Sequence, residues 1–133
     1  MSTTPQNKIK RPLSPHLQIY KPMLTMTMSI VHRITGVILF LATLLLAWWL
    51  IAAAAGPAYF DFVEGILTSL LGRFVLFGAT WALIHHTLGG LKHFLWDTGR
   101  GFDLKTVELM AKGSIIASIA LTFLVWAIAY GVR

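Results

Sequence analysis

Three histidines, His85, His86 and His93, lie in one otherwise apolar stretch of the chain, "WALIHHTLGGLKHFLWDTGRG". An ionisable side chain inside a membrane is costly and usually has a partner or a function. His86 and His93 are seven positions apart, so on a helix they share a face, whereas His85 is turned about 100° away. We therefore predict a ligand-binding face with His86 deep in the membrane and His93 near its surface.

The residue types on this face favour haem over a bare metal ion. Zinc needs three or four converging ligands, and the two histidines of the shared face are about 10 Å apart along a helix axis. Haem needs only one imidazole on each side of its iron. A flat ligand could also approach the helix beside the small residues that follow this face, which are Gly78, Ala82 and either Gly89 or Gly90.

The count of histidines predicts a partner chain. His85 is adjacent to His86 and cannot reach the opposite side of the same iron, and His32 lies near the membrane surface. The second axial ligand would therefore come from another subunit. The alternative for His86 is a hydrogen bond to a neighbouring helix. For His85 the preferred interpretation is packing or a local hydrogen bond. His93 fits either an interfacial side chain or a contact to an anionic group.

A second polar cluster begins the first apolar segment, in "MSIVHRITG". Ser29, His32 and Arg33 are spaced i, i+3 and i+4 and so lie on one helical face. Three polar residues near the end of the second segment are expected at the same depth: Lys92, His93 and Asp97. Arginine binds carboxylates well, so His32, Arg33 and His93 could contact haem propionates. A serine hydroxyl beside a cation could hold a quinone carbonyl. Anchoring of a helix end is the alternative.

The elements that must position these residues are membrane helices. Of the 133 residues, 56% are hydrophobic and 12% are charged, with a mean hydropathy of +0.72. Three apolar segments, about 28–55, 66–96 and 107–130, each exceed the roughly 20 residues that span a bilayer. We predict an all-α integral membrane protein, with a cytoplasmic N-terminal segment over 1–27 and a transmembrane three-helix domain over 28–133.

Charge sets the predicted orientation. The N-terminal tail carries Lys8, Lys10, Arg11 and Lys21, and the second connection carries Arg100 and Lys105. The first connection, 56–65, has two acids and no Lys or Arg. The positive-inside rule places the N-terminus in the cytoplasm. This pattern also explains the net charge of +6 without nucleic acid. No signal or transit peptide is evident, which favours a bacterial inner membrane over a mitochondrial one.

Two further features limit the possibilities. The chain has no cysteine, which excludes disulfides and iron–sulfur ligation by this chain. Ser114, Ser118 and Thr122 recur at intervals of four in the third segment. They form a small polar face, and such faces usually meet another helix, either in this chain or in a partner.

These stretches resemble the cytochrome b membrane-anchor subunit of succinate dehydrogenase, respiratory complex II. The resemblance rests on "RPLSPHLQIYKP", "SIVHRITG" and "HHTLGGLKHFLWDTGRG", with the patterns S-x-x-H-R-x-[ST]-G and H-x-x-x-G-x-[KR]-H-x-x-x-D. It implies pairing with a second three-helix anchor subunit and one haem b shared between the two anchors. It also implies an iron–sulfur subunit, a flavoprotein subunit and ubiquinone as substrate.

The resemblance assigns roles to individual residues. His86 matches the axial ligand, Ser29 and Arg33 match the quinone site, His32 matches a residue near the propionates, and Asp97 matches an acid near the quinone pocket. Lys92 replaces an arginine found in some members. A shift of one position would exchange His85 for His86, but the spacing to Gly90 and His93 favours His86.

The predicted function is that of a succinate:quinone oxidoreductase subunit that contributes none of the dicarboxylate chemistry. A haem-free structural anchor is the first alternative. A small transporter or proton-conducting subunit is the second, but it would need a continuous path of ionisable residues. The outer halves of the first and third segments contain almost none.

Overall fold

The computed structural model describes residues 19–132, and this part of the chain is helical. Its four helices are α1 (Leu24–Ala55), α2 (Pro57–Thr68), α3 (Leu70–Asp97) and α4 (Leu104–Gly131). Helices α1, α3 and α4 are long and apolar enough to cross a membrane. The prediction of an all-α protein with three membrane-spanning helices is thus confirmed. The orientation in the membrane and the division at residue 27 remain predictions, and Lys8, Lys10 and Arg11 lie outside the described residues.

The connection predicted over 56–65 is itself helical. Helix α2 begins with Pro57 at its first position, where the missing proline N–H costs no hydrogen bond. The second apolar segment, predicted from residue 66, is divided by a corner at Ser69. The Ser69 hydroxyl caps α3 by accepting from the Gly72 N–H at 3.1 Å. Hydropathy did not reveal this corner, because the residues on both sides of it are apolar.

The corner between α2 and α3 depends on a close backbone contact. Gly72 is buried, and a Cβ added to it would overlap the carbonyl oxygens of Ile66 and Leu67. Val63 of α2 is fully buried, and α2 contacts both α1 and α3. Helix α2 is therefore a packed helix that contacts α1 and α3, and it is not a solvent-exposed loop.

The small polar face of α4 packs against α3 of the same chain. Ser114, Ser118 and Thr122 are 7%, 0% and 1% exposed, so the predicted helix contact is confirmed and is intramolecular. Lys92 donates to Ser114 across this interface at 3.0 Å. Trp126 donates to the Thr80 hydroxyl at 3.2 Å farther along it. Hydrogen bonds between side chains thus fix the register of α4 on α3.

The outward faces of the long helices are apolar. Val37, Phe40 and Ile51 on α1 are 62%, 64% and 62% exposed, and comparable residues cover α3 and α4. In water such a surface would be an aggregation liability, whereas in a bilayer it faces acyl chains or other apolar helices. The buried polar side chains lie between helices, at the α3–α4 interface already described and where α1 meets α3.

The connection from α3 to α4 ends in a side-chain cap. The Asp103 carboxylate accepts from the Thr106 N–H at 2.8 Å. Hydrogen bonds from Thr106, chiefly from its side chain and then from its backbone, lower the pKa of the Asp103 carboxyl from its usual value. The negative charge also lies beside the positive end of the helix dipole, so the start of α4 is stabilised by an ionised Asp103.

Candidate functional site between α1 and α3

The site is built around two histidines from different helices. The rings of His32 on α1 and His86 on α3 stack with centroids 3.9 Å apart and planes 15° from parallel. Gly89 makes this contact possible, because a Cβ at that position would overlap the His32 ring. His93, two turns along α3, lies with its centroid 5.6 Å from that of His32. The helical face predicted to hold His86 and His93 thus meets the polar cluster of α1.

Each of the stacked histidines bonds to the backbone of the other. Nε2 of His32 lies 3.3 Å from the carbonyl oxygen of His86. Nδ1 of His86 lies 3.1 Å from the carbonyl oxygen of His32. A carbonyl oxygen can only accept, so both ring nitrogens must be donors. His86 is therefore protonated on Nδ1.

The protonation of Nδ1 leaves the Nε2 lone pair of a neutral His86 available. Thr35 adds a second acceptor, since its hydroxyl oxygen is 3.1 Å from Nδ1 of His86. Within residues 19–132 no hydrogen bond is found for Nε2 of His86, and the residue is only half-buried. A histidine whose Nδ1–H is held by a carbonyl while Nε2 is free has the usual arrangement of a metal ligand.

A cavity of about 300 Å³ lies beside the histidine pair. Five of the polar residues singled out in the sequence line it: Ser29, His32, Arg33, Lys92 and His93. The other lining residues are Thr25, Met28, Gly89, Trp96, Val107 and Ala111. The lining thus has two basic side chains, Arg33 and Lys92, and, among the described residues, no carboxylate. Such a cavity suits an anionic group or a polarised carbonyl.

Asp97 is not among the residues lining this cavity. It is the last residue of α3, one turn beyond His93, and is exposed. The structure therefore brings Ser29 and Arg33 together in the cavity. Asp97 lies outside it, at the end of α3 that follows His93.

His85 and His86 face different helices. His85 is 2% exposed, lies against α4 and contacts the Ser118 hydroxyl through Nδ1 at 3.3 Å. Because the Ser118 hydroxyl donates to the Ile115 carbonyl at 2.9 Å, Nδ1 of His85 is the donor. Its ring also stacks on Trp81, with centroids 5.3 Å apart. His85 is thus packed between helices, one of the two interpretations preferred for it, and its hydrogen bond joins α3 to α4 and is not a local one.

Three residues of the site were not identified from the sequence. Thr35 is fully buried between α1 and α3, and Gly36 faces the His86 ring, where an added Cβ would lie 3.2 Å from Cε1. Trp96 stands edge-on to His93, with centroids 5.1 Å apart. Thr35 and Gly36 belong to the motif S-x-x-H-R-x-[ST]-G, so their signal was present, but their partner on α3 was not deducible.

The structure also decides between the two glycines near His86. Gly89 is buried against His32, whereas nothing lies within 4 Å of a Cβ added to Gly90. Gly90 is one turn from His86, and its open side adjoins exposed apolar residues, among them Leu83 at 54% and Phe94 at 70%. The side of α3 that borders His86 and faces away from α1 is therefore free to meet a planar ligand or another helix.

Comparison with known proteins agrees with this architecture. Residues 7–126 match the family described as succinate dehydrogenase/fumarate reductase transmembrane subunit. The succinate dehydrogenase cytochrome b556 subunit of Rickettsia felis is 40% identical over 117 residues, covering 88% of this chain and 91% of that protein. The subunit of the same name in Paracoccus denitrificans is 39% identical over 118 residues, covering 89% and 91%.

A more distant relative is the human mitochondrial succinate dehydrogenase cytochrome b560 subunit, 36% identical over 111 residues, covering 80% of this chain and 63% of that protein. With its three apolar helices and these relatives, the chain is a multi-pass protein of the inner membrane. It belongs to the family of succinate dehydrogenase and fumarate reductase transmembrane subunits, among the cytochrome b membrane anchors of complex II.

Proposed function

We propose that this chain binds one haem b through His86, at an interface with a second membrane anchor, and forms part of the site where ubiquinone is reduced. The observation that carries the proposal is the hydrogen bonding of His86. Its Nδ1–H is held by the His32 carbonyl at 3.1 Å, so in the neutral form of the ring Nε2 carries the lone pair and can bind a metal without rearrangement. The names of the Rickettsia and Paracoccus relatives, which are cytochromes b556, support the same cofactor.

The surroundings of His86 fit a porphyrin. Open space beside Gly90 gives a flat group access to the helix, and the adjoining exposed side chains are apolar. The cationic cavity one to two turns away would receive the propionates, with Arg33, His93 and His32 as contacts and Lys92 as an additional cation. When bound, the haem iron supplies one-electron redox chemistry by cycling between its ferric and ferrous states.

The second axial ligand would come from the partner anchor. His32 stacks on His86 at 3.9 Å and bonds to its backbone, so it lies on the protein side of that ring. His85 faces α4, and His93 is seven residues along α3. These placements support a haem shared between two small anchors, with the exposed apolar side of α3 as the contact surface.

The quinone would occupy the region of Ser29 and Arg33. The serine hydroxyl would donate a hydrogen bond to one quinone carbonyl oxygen, and the guanidinium would stabilise the negative charge that develops during reduction. Asp97, at the end of α3, would be the acid near this pocket. Because Ser29, Arg33 and His93 line one cavity, the quinone head and the propionates would be neighbours.

Membership of complex II implies an iron–sulfur subunit and a flavoprotein subunit as partners. In this proposal the flavoprotein oxidises succinate, the iron–sulfur subunit delivers electrons to the membrane, and this chain orients the quinone and the haem. The chain has no cysteine and so contributes no iron–sulfur ligand of its own.

The test is a reduced-minus-oxidised spectrum of the purified complex for wild type, His86→Ala and His85→Ala. We expect a low-spin b-type signal in wild type that is lost or becomes high-spin only in His86→Ala. His85→Ala is the matched control, because it removes an imidazole that faces α4. A wild-type complex without any haem signal would make the chain a haem-free structural anchor, and loss only in His85→Ala would exchange the ligands.

A further inference from the structure

We propose that Thr35 is a positioning residue for the haem ligand: its side-chain oxygen, together with the His32 carbonyl, fixes His86 as the Nδ1–H tautomer and sets the direction of Nε2. The inference rests on the proposed role of His86. It concerns this chain's own residues and has consequences that can be measured without quinone turnover.

The Thr35 hydroxyl makes two contacts at the interface between α1 and α3. The side chain is fully buried at the α1–α3 contact. Its hydroxyl donates to the His32 carbonyl one turn back at 2.8 Å, and its oxygen is 3.1 Å from Nδ1 of His86. Burying a hydroxyl without a hydrogen-bond partner would be unfavourable. The two contacts together satisfy the Thr35 hydroxyl and fix its orientation.

The position of the protons follows from the three distances. Thr35 Oγ1 and the His32 oxygen are both 3.1 Å from Nδ1 of His86, and the Thr35 proton is directed to the His32 oxygen. A hydrogen on Nδ1 satisfies both acceptors in a three-centre bond. The reverse arrangement, with Thr35 donating to Nδ1, would leave a ring lone pair facing the lone pairs of the His32 carbonyl. The Nδ1–H tautomer is therefore the stable one.

Two features make Thr35 a firm support. A threonine on a helix has few χ1 rotamers, and the bond to the His32 carbonyl selects one of them. The next residue, Gly36, lets the Cε1 edge of His86 approach α1, because an added Cβ would lie only 3.2 Å away. Thr35 and Gly36 thus contact the Nδ1 and Cε1 edge of the His86 imidazole, while Nε2 stays free.

The contacts of Thr35 and Gly36 with His86 should affect the redox potential of a bound haem and the rate at which the haem is lost. A hydrogen bond to the outer nitrogen of an axial imidazole increases its electron donation to the metal and fixes the ring orientation. Removal of one acceptor would weaken this donation, favour the ferrous state and so raise the midpoint potential. It would also speed the loss of haem, because the ring could rotate or change tautomer.

The experiment compares Thr35→Val and Thr35→Ser in the purified complex. Valine keeps the shape and removes the oxygen, whereas serine keeps the oxygen. Three properties are measured: the rate of haem transfer to apomyoglobin, the g values of the low-spin ferric haem, and the midpoint potential. We expect Thr35→Val to release haem about tenfold faster, at the low end of effects of this type because the His32 carbonyl remains, and to raise the potential. Thr35→Ser should resemble wild type.

Two matched controls separate this role from general loss of a hydroxyl. Thr43→Val removes a hydroxyl on the same helix that donates to the Phe40 carbonyl at 2.6 Å, and Thr122→Val removes a buried one bonded to the Ser118 carbonyl at 2.7 Å. Neither contacts His86, so both should leave all three haem properties unchanged. If valine at position 35 prevents assembly, Thr35→Ala is measured in its place against Thr35→Ser.

The proposal is overturned if Thr35→Val and wild type agree in haem release, g values and potential, or if Thr35→Ser shows the same loss as Thr35→Val. His86→Ala, measured in parallel, distinguishes this failure from failure of the proposed function. A complex that retains low-spin haem without His86 refutes the ligand assignment itself. A complex that loses it, with an unaffected Thr35→Val, refutes only the role of Thr35.

Discussion

The imidazoles of His32 and His86 each donate a hydrogen bond to the backbone carbonyl of the other residue, at 3.3 and 3.1 Å. This reciprocal pair joins α1 to α3 through bonds between side chains and backbone. Each bond contributes about 1 kcal/mol net, and neither ring can turn without breaking its own bond. The pair therefore orients the proposed haem ligand and connects two spans through the same atoms.

The pair depends on Gly89, and Gly89→Ala should disrupt it. The new methyl group would overlap the His32 ring, which must move off His86. We expect a loss of stability of about 1–3 kcal/mol, typical of overpacking, and a fall in the haem content of the purified complex. Thermal unfolding measures the stability, and the pyridine haemochrome assay measures the haem content.

The control for this change is Gly113→Ala on α4, where an added Cβ meets nothing within 4 Å. Alanine is the better helix former, so this variant should be as stable as wild type or slightly more so. A Gly89→Ala protein with wild-type stability and haem content would contradict the close approach of His32.

Gly72→Ala tests the corner between α2 and α3. Its methyl group would overlap the carbonyl oxygens of Ile66 and Leu67, and backbone cannot swing aside as a side chain can. We expect a destabilisation of about 1–3 kcal/mol, seen as a lower midpoint of thermal unfolding in detergent. Gly65→Ala, at an open position on α2, should leave the midpoint unchanged or raise it slightly. Equal midpoints for the two variants would argue against a packed α2.

Arg33→Ala tests the proposed quinone site. Loss of a cation that stabilises developing charge costs about 10²-fold in rate where the group acts directly. We expect quinone reductase activity to fall by this order, while succinate oxidation with a soluble artificial acceptor is nearly unchanged. Arg73→Ala is the control, since Arg73 lies on α3 away from this cavity, beside Trp126 and Tyr130. An equal loss of both activities in Arg33→Ala would remove Arg33 from the quinone site.

The start of α4 should be pH-sensitive through Asp103. Its pKa is lowered in the folded chain by hydrogen bonds from Thr106, so the ionised form stabilises α4 at every pH above the unfolded pKa of about 3.9. This contribution is lost as the pH falls through the lower, folded pKa. Asp103→Ala should be less stable than wild type near neutral pH, and the difference should shrink in acid.

Thermal unfolding of both proteins from about pH 7 to pH 3 measures this difference. Asp103→Asn keeps an acceptor for the Thr106 N–H but no charge, so its stability should depend on pH less than that of wild type. A gap between wild type and Asp103→Ala that grows in acid would contradict the sign of the shift.

The sequence by itself determined the number of spans and the contents of their faces. Apolar length gives three membrane helices, and the helical period places His86 with His93 and joins Ser114, Ser118 and Thr122 in one stripe. These properties depend on a single helix, whose rise and rotation per residue are constant. The motifs were also sufficient to identify the family, because they are read along the chain.

Only the tertiary structure decided how the faces are paired. The stripe of α4 packs on α3, which directs His85 towards Ser118 and His86 towards α1. The contact of Gly89 with His32, the support from Thr35 and the corner at Ser69 follow from the rotation and depth of one helix against another. For the helix pairs those quantities are set by contacts between residues far apart in the chain, such as Thr35 and His86, which are 51 positions apart. The corner at Ser69 is local, but it depends on the close approach of Gly72 to α2, and the helical period of one segment contains neither.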